Sequence, residues 1–254
     1  MNLNLSITGG AVALTLLLNV PTSTAHRDLA GFPANLPTAS LLEKENSRNP
    51  WQNLFDGKTL SGWHIYQKQG QPVTEKWVVQ DDAIHLTGGG VGDLVTDKDY
   101  GDFDLELEWK IAQAGNSGIM YHISEEPKFA ATYETGPEMQ VLDNERHPDA
   151  KFGREGNRTA GTLYDLQKPI TPMAAKPAGG WNKARLVIRK GKAQHFLNGK
   201  KVAEYPTSGP EWDKMVSVSK FKGWGGFGKF QTGKIALQDH GDLVWYRNIR
   251  IREL

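Results

Sequence analysis

The alternation of apolar and polar side chains is clearest in Phe103–Ile111, which reads FDLELEWKI. Its odd positions are apolar, and its even positions are Asp104, Glu106, Glu108 and Lys110. A period of two is typical of an antiparallel β-strand with one face on the core and one in water. We therefore expect Glu106 and Glu108 to lie on a solvated outer face. Further β-type runs are expected at 77–79, 83–86, 93–96, 119–123, 181–190, 234–237 and 244–251.

Turn signals separate these runs. Asn198-Gly199 lies between two β-type segments and predicts a hairpin. Residues 115–118, Gly-Asn-Ser-Gly, predict a turn before the strand at 119–123. No long amphipathic helix and no repeat is apparent. The pattern predicts an all-β fold, a two-sheet sandwich with long loops and at most short helices.

Three segments are expected along the chain. Residues 1–25 resemble a secretory signal, with an apolar run at 11–18 and small residues before a cleavage site after Ala25, although no Lys or Arg precedes the run. Residues 26–50 predict a linker or N-terminal extension, and residues 51–254 form the β domain. The expected location is periplasmic or secreted, and the apolar run is too short for a membrane span.

Charge and composition reduce the classes of function that the chain can have. The 254 residues carry a formal net charge of +1, so a nucleic-acid partner, which requires a basic surface, is not expected. The chain contains no cysteine, so disulfides and thiolate metal sites are excluded. Its eight tryptophans suit either core packing or stacking against carbohydrate.

The strongest candidate for chemistry lies within residues 133–147. Glu138 and Gln140 share one face if the segment is a strand, while Met139 and Val141 point into a core. Asp143 joins the polar face only if a bulge or the strand end inserts one residue. Two carboxyl groups with an amide between them suit proton transfer on a sugar.

Seven segments resemble successive motifs of the 3-keto-disaccharide hydrolase family. They are NLFDGKTLSGW, NSGIMYH, GPEMQVLDNERHPDA, AGTLYDL, WNKARLVI, HFLNGKKVAEY and GKIALQDHGDLVWYRNIRIREL, which together span residues 53–254. The resemblance implies a concanavalin A-like jelly roll related to laminarinase-type glucanases. It also implies glycosides whose glucose ring is oxidised at carbon 3. Such substrates are cleaved either by acid/base-assisted elimination and hydration or by direct hydrolysis.

The 138–143 spacing also resembles the E-x-D-x-x-E strand of laminarinase-type glucanases. Here the middle acid is Gln140 and the last acid is the shorter Asp143, so the nucleophile role is not carried over. Gln140 cannot exchange protons and is expected to hydrogen-bond substrate. The expected proton-transfer set is Glu138, Asp143 and His240.

Two arginines in predicted strands are further substrate-binding candidates. Strand alternation places Arg247 on one face with Trp245 and Ile249, where it needs a partner such as a carboxylate or a sugar ketone. Arg185 is similar. The alternative for both is a structural ion pair. His240 is either a proton carrier or a histidine held in its turn by neighbouring aspartates.

Lys220, Asn116 and Tyr121 complete the expected substrate-binding set. Lys220 could polarise a ketone, form an ion pair or lie free on the surface, and Asn116 could hold a turn. No cofactor is expected, although Asp239 and Asp242 are the kind of ligands that Ca²⁺ prefers. The histidines lack zinc spacing. The alternative function is a non-catalytic, lectin-like carbohydrate-binding module that uses the same face.

Overall fold

The alternating segments form strands in a computed structural model that describes residues 49–73 and 75–254. A single α-helix among these residues is eight residues long, and two short 3₁₀ turns span Thr132–Glu134 and Pro148–Lys151. The elements are β1 (Gln52–Asn53), β2 (Trp63–Ile65), β3 (Trp77–Gln80), β4 (Ala83–Leu86), β5 (Leu94–Thr96), β6 (Phe103–Ile111), β7 (Asn116–Ile123), β8 (Glu138–Leu142), β9 (Asn182–Arg189), β10 (Lys192–Leu197), β11 (Lys200–Pro206), α1 (Pro210–Ser217), β12 (Lys234–Leu237) and β13 (Val244–Glu253).

The strands form two antiparallel sheets. The larger sheet has the order β11-β10-β9-β6-β13-β4-β3, with β1 paired to β13. The smaller sheet has the order β2-β5-β12-β7-β8. Sequence neighbours such as β6 and β7 lie in different sheets, as in a jelly roll. This architecture confirms the predicted all-β sandwich with at most short helices.

The main hydrophobic core lies between the sheets. Alternate residues of β6 pack against inward residues of the small sheet, such as Ile119 and Met139. The Ser117 and Tyr246 hydroxyl groups form a 2.7 Å hydrogen bond that joins β7 to β13 across the core. A second, smaller cluster lies on the opposite face of the small sheet and comprises Tyr66, Val95, Met120, Ile123 and Ala236. The small sheet is thus covered on both faces.

The hairpin prediction is confirmed, and the turn at 115–118 is wrong. Asn198 and Gly199 both have positive φ, 51° and 80°, which suits the two-residue turn between β10 and β11. Asn116, by contrast, is the first residue of an eight-residue buried strand, and the chain turns before it at Ala114. The short side chains of 116–118 fit close contacts within the sheet.

A bulge in β13 corrects the expected orientation of its side chains. The register of β13 against β6 shifts between Arg247 and Arg250, and Asn248 has a φ of 52°. Trp245 and Arg247 therefore face outward, whereas Tyr246 and Ile249 are both buried in the core. Arg247 and Ile249 do not share a face.

Both predicted substrate-binding arginines form ion pairs on the outer face of the large sheet. The Arg185 guanidinium donates two 2.7 Å hydrogen bonds to Asp104, which also accepts from Arg252. The Arg247 Nε donates to Glu108 at 2.8 Å, and the guanidinium group of Arg247 stacks on the Trp181 ring. The structural alternative therefore holds for Arg185 and Arg247. Glu108 lies on the outer face as expected.

The predicted signal segment, and all but the last two residues of the predicted extension, lie outside the described residues. Within residues 49–73 and 75–254, no helix has the length and apolar character needed to cross a bilayer.

We predict that Asp104→Asn destabilises the fold. Asp104 is 1% exposed and neutralises two arginines, so its replacement leaves both without their shared carboxylate. The expected loss is about 2 kcal/mol in the free energy of unfolding, measured by urea denaturation.

A matched control is Glu253→Gln, which breaks a pair with Lys98 in which both side chains are about half exposed. That change should cost less than about 1 kcal/mol. Equal losses for the two variants would contradict the structural role of Asp104.

Candidate active site

A cavity of about 430 Å³ lies on the outer face of the small sheet. Asn116 of β7 and Glu138 and Gln140 of β8 form its floor, and six other segments of the chain form its walls. Its lining residues are Ile65, Tyr66, Lys68, Val91, Gly92, Asp93, Asn116, Ala130, Ala131, Thr132, Tyr133, Glu138, Gln140, Tyr164, Lys220, Phe221, Trp224, Gln238, Asp239 and His240.

Glu138 and Gln140 lie side by side on this floor, as the alternation predicted. Glu138 is 7% exposed, and Gln140 is almost fully buried. In the register of β7 and β8, Gly118 lies opposite Gln140. A Cβ atom at position 118 would lie 2.2 Å from the Glu138 Oε1 atom, so the glycine provides the space that the carboxyl group occupies.

The Glu138 carboxyl group is buried without a hydrogen bond from any described residue. Its burial raises the pKa of Glu138 to about 8. The ammonium group of Lys220 opposes this shift, while the carboxylates of Asp93 and Asp149 add to it. At neutral pH most Glu138 side chains are therefore protonated and can donate a proton.

Asp93 is a second acid in the cavity that the sequence analysis missed. Desolvation raises the pKa of Asp93 to about 6, and hydrogen bonds from the Thr132 hydroxyl and the Asp239 N–H oppose the shift. The Asp239 N–H lies 2.7 Å from the Asp93 Oδ1 atom. Asp93 is therefore mostly ionised at neutral pH. The acid immediately precedes the apolar residues of β5, and this position was its one sequence signal.

The long loop at 149–177 supplies one wall. It runs beside the edge strand β8, where the Tyr164 N–H donates to the Glu138 carbonyl at 3.0 Å. The Tyr164 hydroxyl donates to Asp149 at 2.8 Å, and Arg158 bridges Asp149 and Asp165. This network fixes the Tyr164 ring in the cavity wall. A loop of this length was expected to carry function, and its place in the cavity wall agrees with that expectation.

Lys220 lies at the exposed rim of the cavity. Its Nζ atom is 4.1 Å from the centre of the Tyr164 ring, and its backbone N–H donates to Asp165 at 2.9 Å. Partial desolvation lowers the pKa of Lys220, and Glu138 opposes that shift. The lysine is thus part of the site rather than a free surface residue.

His240 and Asn116 meet at the opposite side. The His240 Nε2 atom lies 3.3 Å from the Asn116 Nδ2 atom. The Asn116 N–H donates to Asp242 at 2.9 Å, while its Oδ1 atom is buried without a hydrogen-bond partner among the described residues. The structure therefore brings together Glu138, Gln140, Asn116, Lys220 and His240 of the predicted set.

Besides Arg185 and Arg247, two further predicted residues do not reach the cavity. Asp143 lies beyond β8, where its carboxylate accepts the backbone N–H groups of Ala114 and Glu145 at 2.8 and 3.1 Å. Tyr121 faces the core, because it shares the inward face of β7 with Ile119, and its hydroxyl bonds to that of Tyr205. We exclude both from the candidate site.

The two aspartates considered for calcium hold loops instead. The Asp239 carboxylate accepts the N–H groups of Val91, Gly92 and Gly241, and that of Asp242 accepts the Asn116 N–H. No group of three or more His, Asp or Glu side chains within residues 49–73 and 75–254 is arranged to hold a metal ion. The expectation that no cofactor is needed stays a prediction.

The family profile and the similar proteins point to the same protein family. The sequence profile of the 3-keto-alpha-glucoside-1,2-lyase-like domain matches residues 50–252. The 3-keto-disaccharide hydrolase of Bacteroides thetaiotaomicron is 39% identical over 227 residues, covering 79% of this chain and 77% of that protein. Two crystal structures from Parabacteroides distasonis are similar, both of proteins named as candidate glycosyl hydrolases. One has a TM-score of 0.73 at 34% identity, covering 84% of this chain and 97% of that chain. The other has a TM-score of 0.62 at 25% identity, covering 81% and 100%.

The fold and these matches define the class as a jelly-roll hydrolase. The chain belongs to the 3-keto-alpha-glucoside-1,2-lyase-like domain family, and the resemblance inferred from its motifs is confirmed.

The raised pKa of Glu138 predicts a pH-dependent stability. The folded pKa of about 8 exceeds the ordinary value of 4.5, so between these pH values the folded state binds more protons than the unfolded state. The contribution of Glu138 to stability is complete below about pH 4.5 and is lost as pH rises through 8. Relative to Glu138→Gln, the wild type should lose about 2–4 kcal/mol between pH 5 and pH 9 in urea denaturation. Parallel pH curves for the two proteins would contradict the assigned protonation.

Proposed function

We propose that the protein cleaves 3-keto-glycosides, including 3-keto-disaccharides, by elimination and hydration. The observation that carries the proposal is the pair of acids in one cavity, with a pKa of about 8 for Glu138 and about 6 for Asp93. Acids whose pKa values are separated by their environments provide one donor and one acceptor at the same pH. The names of the similar proteins support the substrate class.

The ketone determines the first step. A carbonyl at C3 acidifies the proton on C2, and ionised Asp93 removes it. The C2–H electron pair forms the C2–C3 double bond of an enolate, which places negative charge on the C3 oxygen. The enolate then restores the ketone as the C1–C2 double bond forms and the C1–O bond breaks, and protonated Glu138 donates a proton to the leaving oxygen. The leaving group departs as an alcohol. Water then adds its oxygen to C1 and gives one proton to ionised Glu138, while Asp93, whose proton exchanges with solvent, protonates C2 and gives the 3-keto sugar.

Developing negative charge on the C3 oxygen requires a donor. Lys68 and Lys220 both line the cavity, and of the two Lys220 is the one that interacts electrostatically with Glu138. We assign it to the enolate oxygen. Gln140, Asn116 and His240 then hydrogen-bond the ring hydroxyls.

A lectin-like module is the alternative. It accounts for the cavity but not for two desolvated acids within it, since binding of neutral sugar requires only amides, hydroxyls and aromatic faces.

Glu138→Gln and Asp93→Asn should each lower kcat for a 3-keto-glucoside about 100-fold or more, because each removes one proton carrier. In the wild type, kcat/KM should rise with pH through about 6 as Asp93 ionises and fall through about 8 as Glu138 loses its proton. The measurement is release of the aglycone between pH 4 and pH 10.

The matched control is Glu108→Gln, an acid on the outer face of the other sheet, which should retain full activity. Bound sugar without any aglycone release by the wild type would favour the lectin-like alternative. Full activity of Glu138→Gln would overturn the site assignment.

We also infer export to the periplasm or medium from the apolar run at 11–18 and the small residues at 23–25. Mass spectrometry of the mature protein from an expressing cell should give an N-terminus at His26. Retention of residues 1–25 on the cytoplasmic protein would contradict export.

A further inference from the structure

Two further cavities lie next to the one that contains Glu138 and Asp93. Tyr133 and Trp224 line both the catalytic cavity and a second cavity of about 430 Å³. The second cavity shares Phe129, Gly225 and Gly226 with a third of about 670 Å³. The three cavities therefore adjoin one another and are here called the groove, with the aromatic pair at the junction of the first two.

The aromatic pair at this junction is unusually exposed. Tyr133 is 47% exposed and Trp224 is 36% exposed, whereas most aromatic side chains of the described residues are buried. The centres of the two rings are 5.8 Å apart, and their planes are tilted by 49°. Exposed aromatic faces at the mouth of a site are a surface for a ligand rather than part of the core.

Buried rings hold Trp224 in place. Its ring packs edge-to-face on Phe221 at 5.3 Å, and Phe221 stacks on Phe227 at 3.8 Å. Phe227 in turn stacks on the fully buried Trp212. The exposed tryptophan therefore sits on a rigid base, which lowers the entropy lost when a ligand packs against it.

The second cavity offers few hydrogen-bonding side chains. The polar side-chain groups among its lining residues are the Glu134 carboxyl, the Tyr133 hydroxyl and the Trp224 indole N–H. Such a lining suits a flat ring face with few polar atoms, as the C–H face of a pyranose or an aromatic ring presents.

We propose that Tyr133 and Trp224 form the subsite for the leaving group, and that they select glycosides whose aglycone contains a ring. The proposal rests on the proposed function, because the reacting sugar occupies the first cavity. Its leaving group then extends into the second cavity. Binding energy gained by a ring remote from the breaking bond raises kcat/KM.

The test compares 3-keto-glucosides that carry a methyl, a phenyl or a glucosyl aglycone. Trp224→Ala should lower the kcat/KM ratio of at least one ring-bearing substrate to the methyl substrate tenfold or more. The phenyl and glucosyl substrates distinguish an aromatic ligand from a second sugar. Phe152→Ala removes an aromatic side chain that is 60% exposed and outside the groove, and should leave the ratios unchanged.

A second variant fills the groove instead of emptying it. No atom lies within 4 Å of a Cβ atom built on Gly225, and its φ is not in the left-handed region, so Gly225→Val should fold. It should lower the same ratio. Equal losses for all three substrates, or no loss for any, in both variants would overturn the subsite. Failure of the wild type to cleave any of the three would instead reject the proposed function.

Discussion

The candidate site depends on the desolvation of one carboxyl group. Glu138 lies on the floor of the cavity in a space that exists because residue 118 is a glycine. No described residue donates a hydrogen bond to its carboxyl group, so the charge of Lys220 offsets the effect of burial only in part and the neutral form is favoured. The same property that makes the group costly to ionise makes it a proton donor at neutral pH. Asp93, which accepts two hydrogen bonds, remains the more acidic of the pair.

Carboxylates that take no part in the proposed chemistry hold the walls around these acids. Asp239 accepts the N–H groups of Val91 and Gly92 and thereby ties the 238–240 segment of the cavity wall to the loop before β5. Asp165 accepts the Lys220 N–H and so fixes the segment that carries both the lysine and Trp224. A rigid sandwich with loops fastened in this way keeps the reacting groups in position.

The sequence predicted most of the fold and about half of the site. Strict alternation identified β6, and Asn-Gly identified the hairpin, because both signals are local. The same alternation correctly placed Glu138 and Gln140 on one face. It was wrong for Arg247 and Ile249, because the bulge at Asn248 depends on the pairing of β13 with β6, which local sequence does not encode. Arg185 was also misplaced, since its partner Asp104 lies 81 positions away.

Asp93 was not predicted as a site residue for a similar reason. Asp93 belongs to the cavity only because β5 pairs with β12 and so lies beside the 238–240 segment. Its raised pKa arises from neighbours that are distant in sequence. Asp143 instead holds a turn through two backbone N–H groups. Long-range strand pairing decides which aspartate reaches the cavity, and this pairing cannot be read from residue spacing.

The most direct test of the central claim is the fate of the C2 proton. A 3-keto-glycoside that carries ordinary hydrogen at C2 is cleaved in D₂O, and the 3-keto sugar product is examined by NMR immediately after release of the aglycone, with unreacted substrate and authentic product incubated alongside. Proton abstraction by Asp93 followed by hydration predicts deuterium at C2 of the product. Retention of hydrogen at C2 in every product molecule would show direct hydrolysis at C1 and contradict the elimination route.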